Sequence, residues 1–189
     1  MVATFNTYLD TGGTENNPGS SVSIDGLGPP MLRFKRADNS TIDANDPIPI
    51  PGAGTNYSRW KSIYLYCTDA PSLQVDNVRI YTDETDFAAN VKVYVGNETP
   101  TKNSGSSAGY DVADANVTMV GNHTDISAKT DFFTYGSGDP KSVSISEADN
   151  IINAIGETSD YVVLQMEVSV GATPGDLTNE TFTWLYDEI

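Results

Sequence analysis

The chain has 189 residues, a formal net charge of −16 and a pI of about 4.1. Such a surface repels nucleic-acid phosphates and anionic lipid, which need clustered Lys or Arg. Hydrophobic residues make up 38% and charged residues 19%, with Thr, Ser, Asn and Gly filling the rest, so a helical bundle and a disordered chain are both excluded in favour of an all-β fold with many turns.

Residues 1–56 read as a loop-rich N-terminal arm with short strands, packed on the same domain. "TGGTENNPGSS" is a Gly/Asn/Pro cluster with the composition of a turn or flexible arm. "SVSIDGL" and "MLRFKRAD" have the length and pattern of short strands. Pro47, Pro49 and Pro51 then alternate in "DPIPIPG". They force an extended backbone without amide donors, which suits an edge or an arm held away from the sheet and not a central strand.

Residues 57–189 read as the core of a β-sandwich or jelly roll. In "RWKSIYLYC", Lys61, Ile63, Leu65 and Cys67 share one face, and Trp60, Ser62, Tyr64 and Tyr66 share the other. Both faces are largely apolar, which predicts a central strand covered on both sides. "LQVDNVRIY" places Val78 and Ile80 together, and "VKVYVG" aligns Val91, Val93 and Val95; the three segments read as a contiguous meander. The stretch "GNETPTKNSGSSAGYDVADAN" lacks periodicity and reads as a long exposed loop. Short strands are expected at "VTMVG", around 132–135 and at 142–145.

One short helix is predicted at about 147–155. Ser146 serves as cap, Asp149 as its acidic partner, Ala148, Ile151, Ile152 and Ile155 as the apolar stripe, and Gly156 as the stop. "DYVVLQMEVSVG" alternates cleanly, with Val162, Leu164, Met166, Val168 and Val170 against Gln165, Glu167 and Ser169. The closing "ETFTWLYDEI" aligns Phe182, Trp184 and Tyr186, as a strand pinned into the sheet would.

The inventory of chemistry is thin. His123 is the single histidine and lies in the polar stretch "VGNHTDIS", where an exposed loop position is expected. With one cysteine there is no intrachain disulfide and no ordinary zinc site, and Cys67 falls on the apolar Ile63/Leu65 face as a structural thiol. No nucleophile-elbow or phosphate-loop motif is present. Asp83, Glu84 and Asp86 in "TDETD", and Asp43, Asn45 and Asp46 in "IDANDP", are oxygen-rich loops of the kind that hold a structural cation; solvated acidic loops have the same composition, and no cofactor is expected. Six of the ten basic residues, Arg33, Lys35, Arg36, Arg59, Lys61 and Arg79, fall in strand-like stretches. Internal pairing with acids explains them, and a subunit interface formed by Arg33, Lys35, Arg36, Pro47, Pro49 and Pro51 is the sharper reading. The start "MVATFNTYLDTGG" lacks a basic n-region and an apolar h-region, so synthesis in a host cytoplasm without a signal peptide is expected.

The runs "LRFKRADNSTIDANDPIPIPGAGTNYSRWKSIYL", "VDNVRIYTD" and "TFTWLYDEI" resemble virion structural proteins of tailed viruses, of the head-decoration kind. The excess of aspartate and scarcity of lysine suit a halophilic setting such as a virus of a haloarchaeon. The resemblance implies a non-enzymatic capsid decoration or stabilising component located in the virion. Its expected partners are itself, as a homo-oligomer such as a trimer, and other capsid proteins, with no direct nucleic acid and no membrane. A turret, tail or connector component is a variant of that reading. The alternative is a carbohydrate-binding or host-surface adhesion module using Trp60, Tyr64, Trp184 or Tyr186.

Overall fold

The computed structural model describes residues 2–25, 32–41, 45–175, 177 and 179–189. The fold is all-β. Its strands are β1 (Thr4–Thr14), β2 (Asn17–Ser23), β3 (Thr55–Tyr57), β4 (Lys61–Asp69), β5 (Val75–Tyr81), β6 (Val91–Gly96), β7 (Lys129–Asp131), β8 (Lys141–Ser142), β9 (Val162–Ser169) and β10 (Thr183–Glu188). They form an unequal antiparallel sandwich. The larger sheet has seven strands in the order β2-β1-β4-β9-β6-β7, with β3 also pairing β9, and the smaller has the order β10-β5-β8.

The central strand reads as expected. Ile63, Leu65 and Cys67 enter the core between the two sheets, while Trp60 and Tyr64 enter a second apolar cluster on the opposite face. β9 alternates in the same way. Val162, Leu164, Met166 and Val168 face the smaller sheet, and Val163 faces outward into the second cluster. The layers are aligned by β10 running along β1: the Ala3 amide donates to Glu188, Phe5 meets Tyr186 with ring centroids 4.8 Å apart, and Trp184 Nε1 donates to Thr7 Oγ1 at 3.1 Å.

Several local expectations are corrected. The Gly/Asn/Pro cluster is not an arm but the turn end of a hairpin, and β1 is an inner strand paired to β4 from Thr4↔Asp69 to Asp10↔Ser62. A two-residue turn at Glu15-Asn16 closes the hairpin, with Asn16 at φ 60°. Gly13 is required: its φ is +79°, and a Cβ there would stand 2.2 Å from the Asn17 carbonyl oxygen. Pro18 is tolerated because β2 is an edge.

The expected meander does not form. β4 and β6 flank β9 in the larger sheet, while β5 is the middle strand of the smaller one, so between β4 and β6 the chain crosses the sandwich twice. A turn such as "DAPS" reverses the chain but does not dictate which layer receives the next strand.

The expected helix is also absent. Residues Ala148–Asn150 make one 3-10 turn, with Asp149 and Asn150 at positive φ. Ser146 Oγ donates to Asp160 instead of capping, and Ile152 exchanges backbone hydrogen bonds of 2.8 and 2.9 Å with Val75. A nine-residue helix is marginal by itself, and a sheet edge offering a buried place for Ile152 outcompetes it.

No strand occupies 32–40 or the "VTMVG" segment. Residues 132–134 form a 3-10 turn with both phenylalanines buried, and the 142–145 expectation shrinks to the two-residue β8.

The stretch expected to be an exposed loop is instead a packed lid on the outer face of the larger sheet. Tyr110 and Ala113 of that stretch, together with Met119 and Ile126 of the segment that follows it, are buried against Trp60, Tyr64 and Tyr161. Backbone bonds such as Tyr161 N to Pro100 O and Asn16 N to Tyr110 O tie it down.

Candidate functional site: an apolar cleft at one end of the sandwich

The smaller sheet covers only part of the larger one. Beside the end of β9 and the start of β6, a cleft of about 1170 Å³ opens. Ile63, Met166 and Val168 form its floor, Phe182 and Trp184 face them, and the Pro47–Ile50 run makes part of the rim. The lining is predominantly apolar, with Asp25, Arg33 and Glu180 as its charged members.

The structure brings only part of the expected interface set together. Arg33, Pro47 and Pro49 line the cleft. Lys35 turns inward, its Nζ donating to the Thr41 carbonyl at 2.9 Å. Arg36 is exposed, its amide held by the Asp46 carbonyl, and Pro51 is half-buried outside the lining. The proline run does not project as an arm: Ile48 packs on the inter-sheet core, and the Pro49 carbonyl accepts from Asn56 Nδ2 at 2.7 Å.

The remaining basic residues are satisfied within the molecule. Lys61 is fully buried, donating to the Ala37 carbonyl and to Asp38 Oδ1 at 3.3 Å. Burial pushes its pKa down, and Asp38 opposes that shift. Arg59 donates to the carbonyls of Arg36 and Ala113. Arg79 pairs with Asp187 at 2.6 Å.

The expected cation loop does not converge. Asp83 Oδ1 accepts from the Thr85 amide, Asp86 pairs with Lys92, and Glu84 stands at φ 65° against Gly136. Among the described residues no group of three His, Cys, Asp or Glu side chains is placed to hold a metal ion. Asp43 of the second acidic loop lies outside the described residues.

His123 is buried, not exposed. Its ring lies 5.8 Å from Trp60, Nδ1 accepts from the Asp125 amide, and the buried Nε2 has no hydrogen-bond partner. Burial holds its pKa below the ordinary imidazole value. The Cys67 thiol is buried and pushed up to about 11, first by burial and then by Glu157 and Asp69, so it is no thiolate nucleophile at neutral pH.

Sequence reasoning missed the polar residues under the lid. Asp10 is buried and accepts hydroxyl bonds from Ser21, Tyr161 and Tyr64, and burial raises its pKa despite those donors. Lys102 lies nearby, its Nζ 5.0 Å from the centre of the Tyr64 ring and bonded to the Asn103 carbonyl. Gln165, 0% exposed, accepts from the Met119 amide and donates to the carbonyls of Ser58 and Val117, each at 2.8 Å. A glutamine alternating with valines in a strand reads as solvent-facing; only the lid above it reveals its role. Each group holds lid and hairpin to the sheet, and none presents a reactive atom to the cleft.

No family model, curated protein or solved structure matches the chain.

Proposed function

We propose that the protein is a non-enzymatic structural component of a virus particle: a capsid decoration or stabilising protein, present in many symmetric copies and partnered by itself and by other virion proteins. One observation carries the reading: the aromatic residues are internal cement. Trp60 is 2% exposed and its Nε1 donates to the Asp111 carbonyl at 3.0 Å, while the Tyr64 and Tyr161 hydroxyls are engaged by Asp10. Trp184 and Tyr186 pack on the inter-sheet core. A sugar-binding surface needs rings facing solvent, so the adhesion alternative loses two of its four candidate residues to the interior and has the other two half-covered.

The strongly acidic surface disfavours nucleic-acid contact and keeps a protein present at high local concentration soluble. A rigid sandwich suits a role carried by repeated modest contacts in place of one tight site. Quantitative mass spectrometry of purified particles tests the reading. The chain is expected in a fixed ratio to the major shell protein; its absence from particles, or trace amounts that vary between preparations, overturns it.

A further inference from the structure

The single histidine of the chain is built into the lid. His123 is 2% exposed and lies in a tight loop, 119–126, closed by backbone bonds. Its amide donates to the Met119 carbonyl at 2.9 Å, the Gly121 amide to the Ile126 carbonyl at 3.0 Å, and the Ile126 amide back to the His123 carbonyl at 3.3 Å. The ends of that loop, Met119 and Ile126, are buried in the outer cluster. The imidazole ring lies 5.8 Å from the Trp60 ring, and Trp60 Nε1 donates to the Asp111 carbonyl of the same lid.

Hydrogen bonding fixes which nitrogen carries the proton. The Asp125 amide donates to Nδ1 at 3.2 Å, so Nδ1 offers its lone pair and Nε2 bears the hydrogen. Nε2 is buried without a partner. A second proton must enter at Nδ1, where it faces the Asp125 N–H. The bond that shapes the loop then becomes an opposition of two donors, and the new charge has no acceptor at either nitrogen. Burial holds the pKa down against Asp111, Asp125 and Glu98, whose charges favour the imidazolium. Two of these carboxylates are committed elsewhere: Asp111 accepts from the Thr124 amide and hydroxyl, and Glu98 from the Ser127 amide and hydroxyl. Asp125 is exposed to water.

We propose that His123 is an acid-sensitive latch: on its protonation the 119–126 loop leaves the sheet, withdraws Met119 and Ile126 and uncovers the Trp60–Tyr161 face, while the two-sheet sandwich stays folded. The inference is independent of the proposed virion role. The sandwich survives because its inter-sheet core, with Ile63, Leu65 and Leu164, lies on the other face of the larger sheet. The closed lid binds fewer protons than the open one. Its advantage is therefore complete above the open-state histidine value of about 6.5 and is lost as pH falls through it.

Two measurements on the intact chain test this. With one histidine present, an NMR titration of the imidazole ring protons gives its pKa without further assignment. Deuterium exchange read by mass spectrometry, corrected for the intrinsic pH dependence of exchange, compares peptides covering 111–126 with peptides from β4 and β9. Exchange in the lid is expected to quicken below about pH 6.5, by up to about tenfold for each unit by which the NMR value lies below the ordinary one, with β9 unchanged. In His123→Asn the Oδ1 atom takes the place of Nδ1 as acceptor for the Asp125 amide and cannot be protonated, so the acid response is expected to vanish. Buried Asp10 and Asp160 titrate with the opposite sign and are common to both proteins, so the difference between them isolates His123. The latch is overturned by an NMR value at or above that of ordinary histidine, by lid exchange that ignores pH, by a response shared equally by β9, or by one that survives in His123→Asn. If His123→Asn does not fold, the wild type alone decides, because the size of its exchange response must match the depression measured by NMR.

Discussion

The two faces of the seven-stranded sheet are covered by different means. Between the sheets the cover is another sheet, and the contact is aliphatic: Val75, Val78 and Ile80 of β5 meet Ile63, Leu65, Val93 and Leu164. On the outer face the cover is the irregular stretch between β6 and β7, and the contact is aromatic, with Trp60, Tyr64, Tyr110 and Tyr161. The difference follows from hydrogen bonding. A strand satisfies its own backbone in the ladder, so two sheets meet through apolar side chains alone. An irregular lid brings amides and carbonyls that no ladder pairs, and each must find a partner once buried. Side chains with an apolar body and a polar tip meet both demands: Trp60 reaches the Asp111 carbonyl, Tyr110 the Gly12 carbonyl, and Gln165 an amide and two carbonyls of the lid and strand junction.

This contrast makes the lid face vulnerable to loss of polar atoms and the inter-sheet face vulnerable to loss of volume. The largest effect is expected from Gln165→Leu, which keeps bulk but orphans the Met119 amide and the Ser58 and Val117 carbonyls. With about 1–3 kcal/mol for each buried group left unsatisfied, a loss of about 3–5 kcal/mol in denaturant unfolding is expected. Leu164→Ala on the other face is expected to cost about 2–5 kcal/mol through the cavity it leaves. If Gln165→Leu is neutral, the lid is not held by hydrogen bonds and the contrast fails.

Tyr161→Phe removes one hydroxyl from buried Asp10 and is expected to cost about 1.5–3 kcal/mol; deletion of one methylene between the sheets, Ile80→Val, should cost about 0.5–1.5 kcal/mol.

Asp10 adds a pH signature. Its folded pKa lies above the ordinary aspartate value because of burial, and Asp160 is raised for the same reason. Between the unfolded and folded values the native state binds more protons, so the contribution of these groups to stability declines as pH rises through that window from about 4 upward. Asp10→Asn is expected to flatten that decline in midpoint-versus-pH measurements; an unchanged slope would mean that Asp10 is solvated. The smallest effect belongs outside both faces: Arg79→Ala, which breaks a pair with half-exposed Asp187, is expected to change stability by less than about 1 kcal/mol.

The legibility of the sequence follows the same division. Ile63, Leu65 and Cys67 against Trp60 and Tyr64 announced a strand buried on both faces, and the alternation in β9 was equally clear, because side-chain direction in a strand has a period of two. The helix expected over 147–155 failed although Ser146, the isoleucine stripe and Gly156 all matched, because those signals are local and Val75 is not. Of the cleft, Arg33, Pro47 and Pro49 were singled out by residue type, but neither its apolar floor nor its place at one end could be read from them.

The sequence by itself determined the all-β class, the acidic surface and the two-sided burial of β4, since composition and alternation act on each residue and its immediate neighbours. Only the tertiary structure decided that β1 is an inner strand, that β5 belongs to the other layer, that residues near 110–126 form a lid and that the sandwich has one apolar open end. Each of those outcomes depends on which distant backbone or side chain completes a hydrogen bond or fills a space, and no local pattern encodes the identity of that partner.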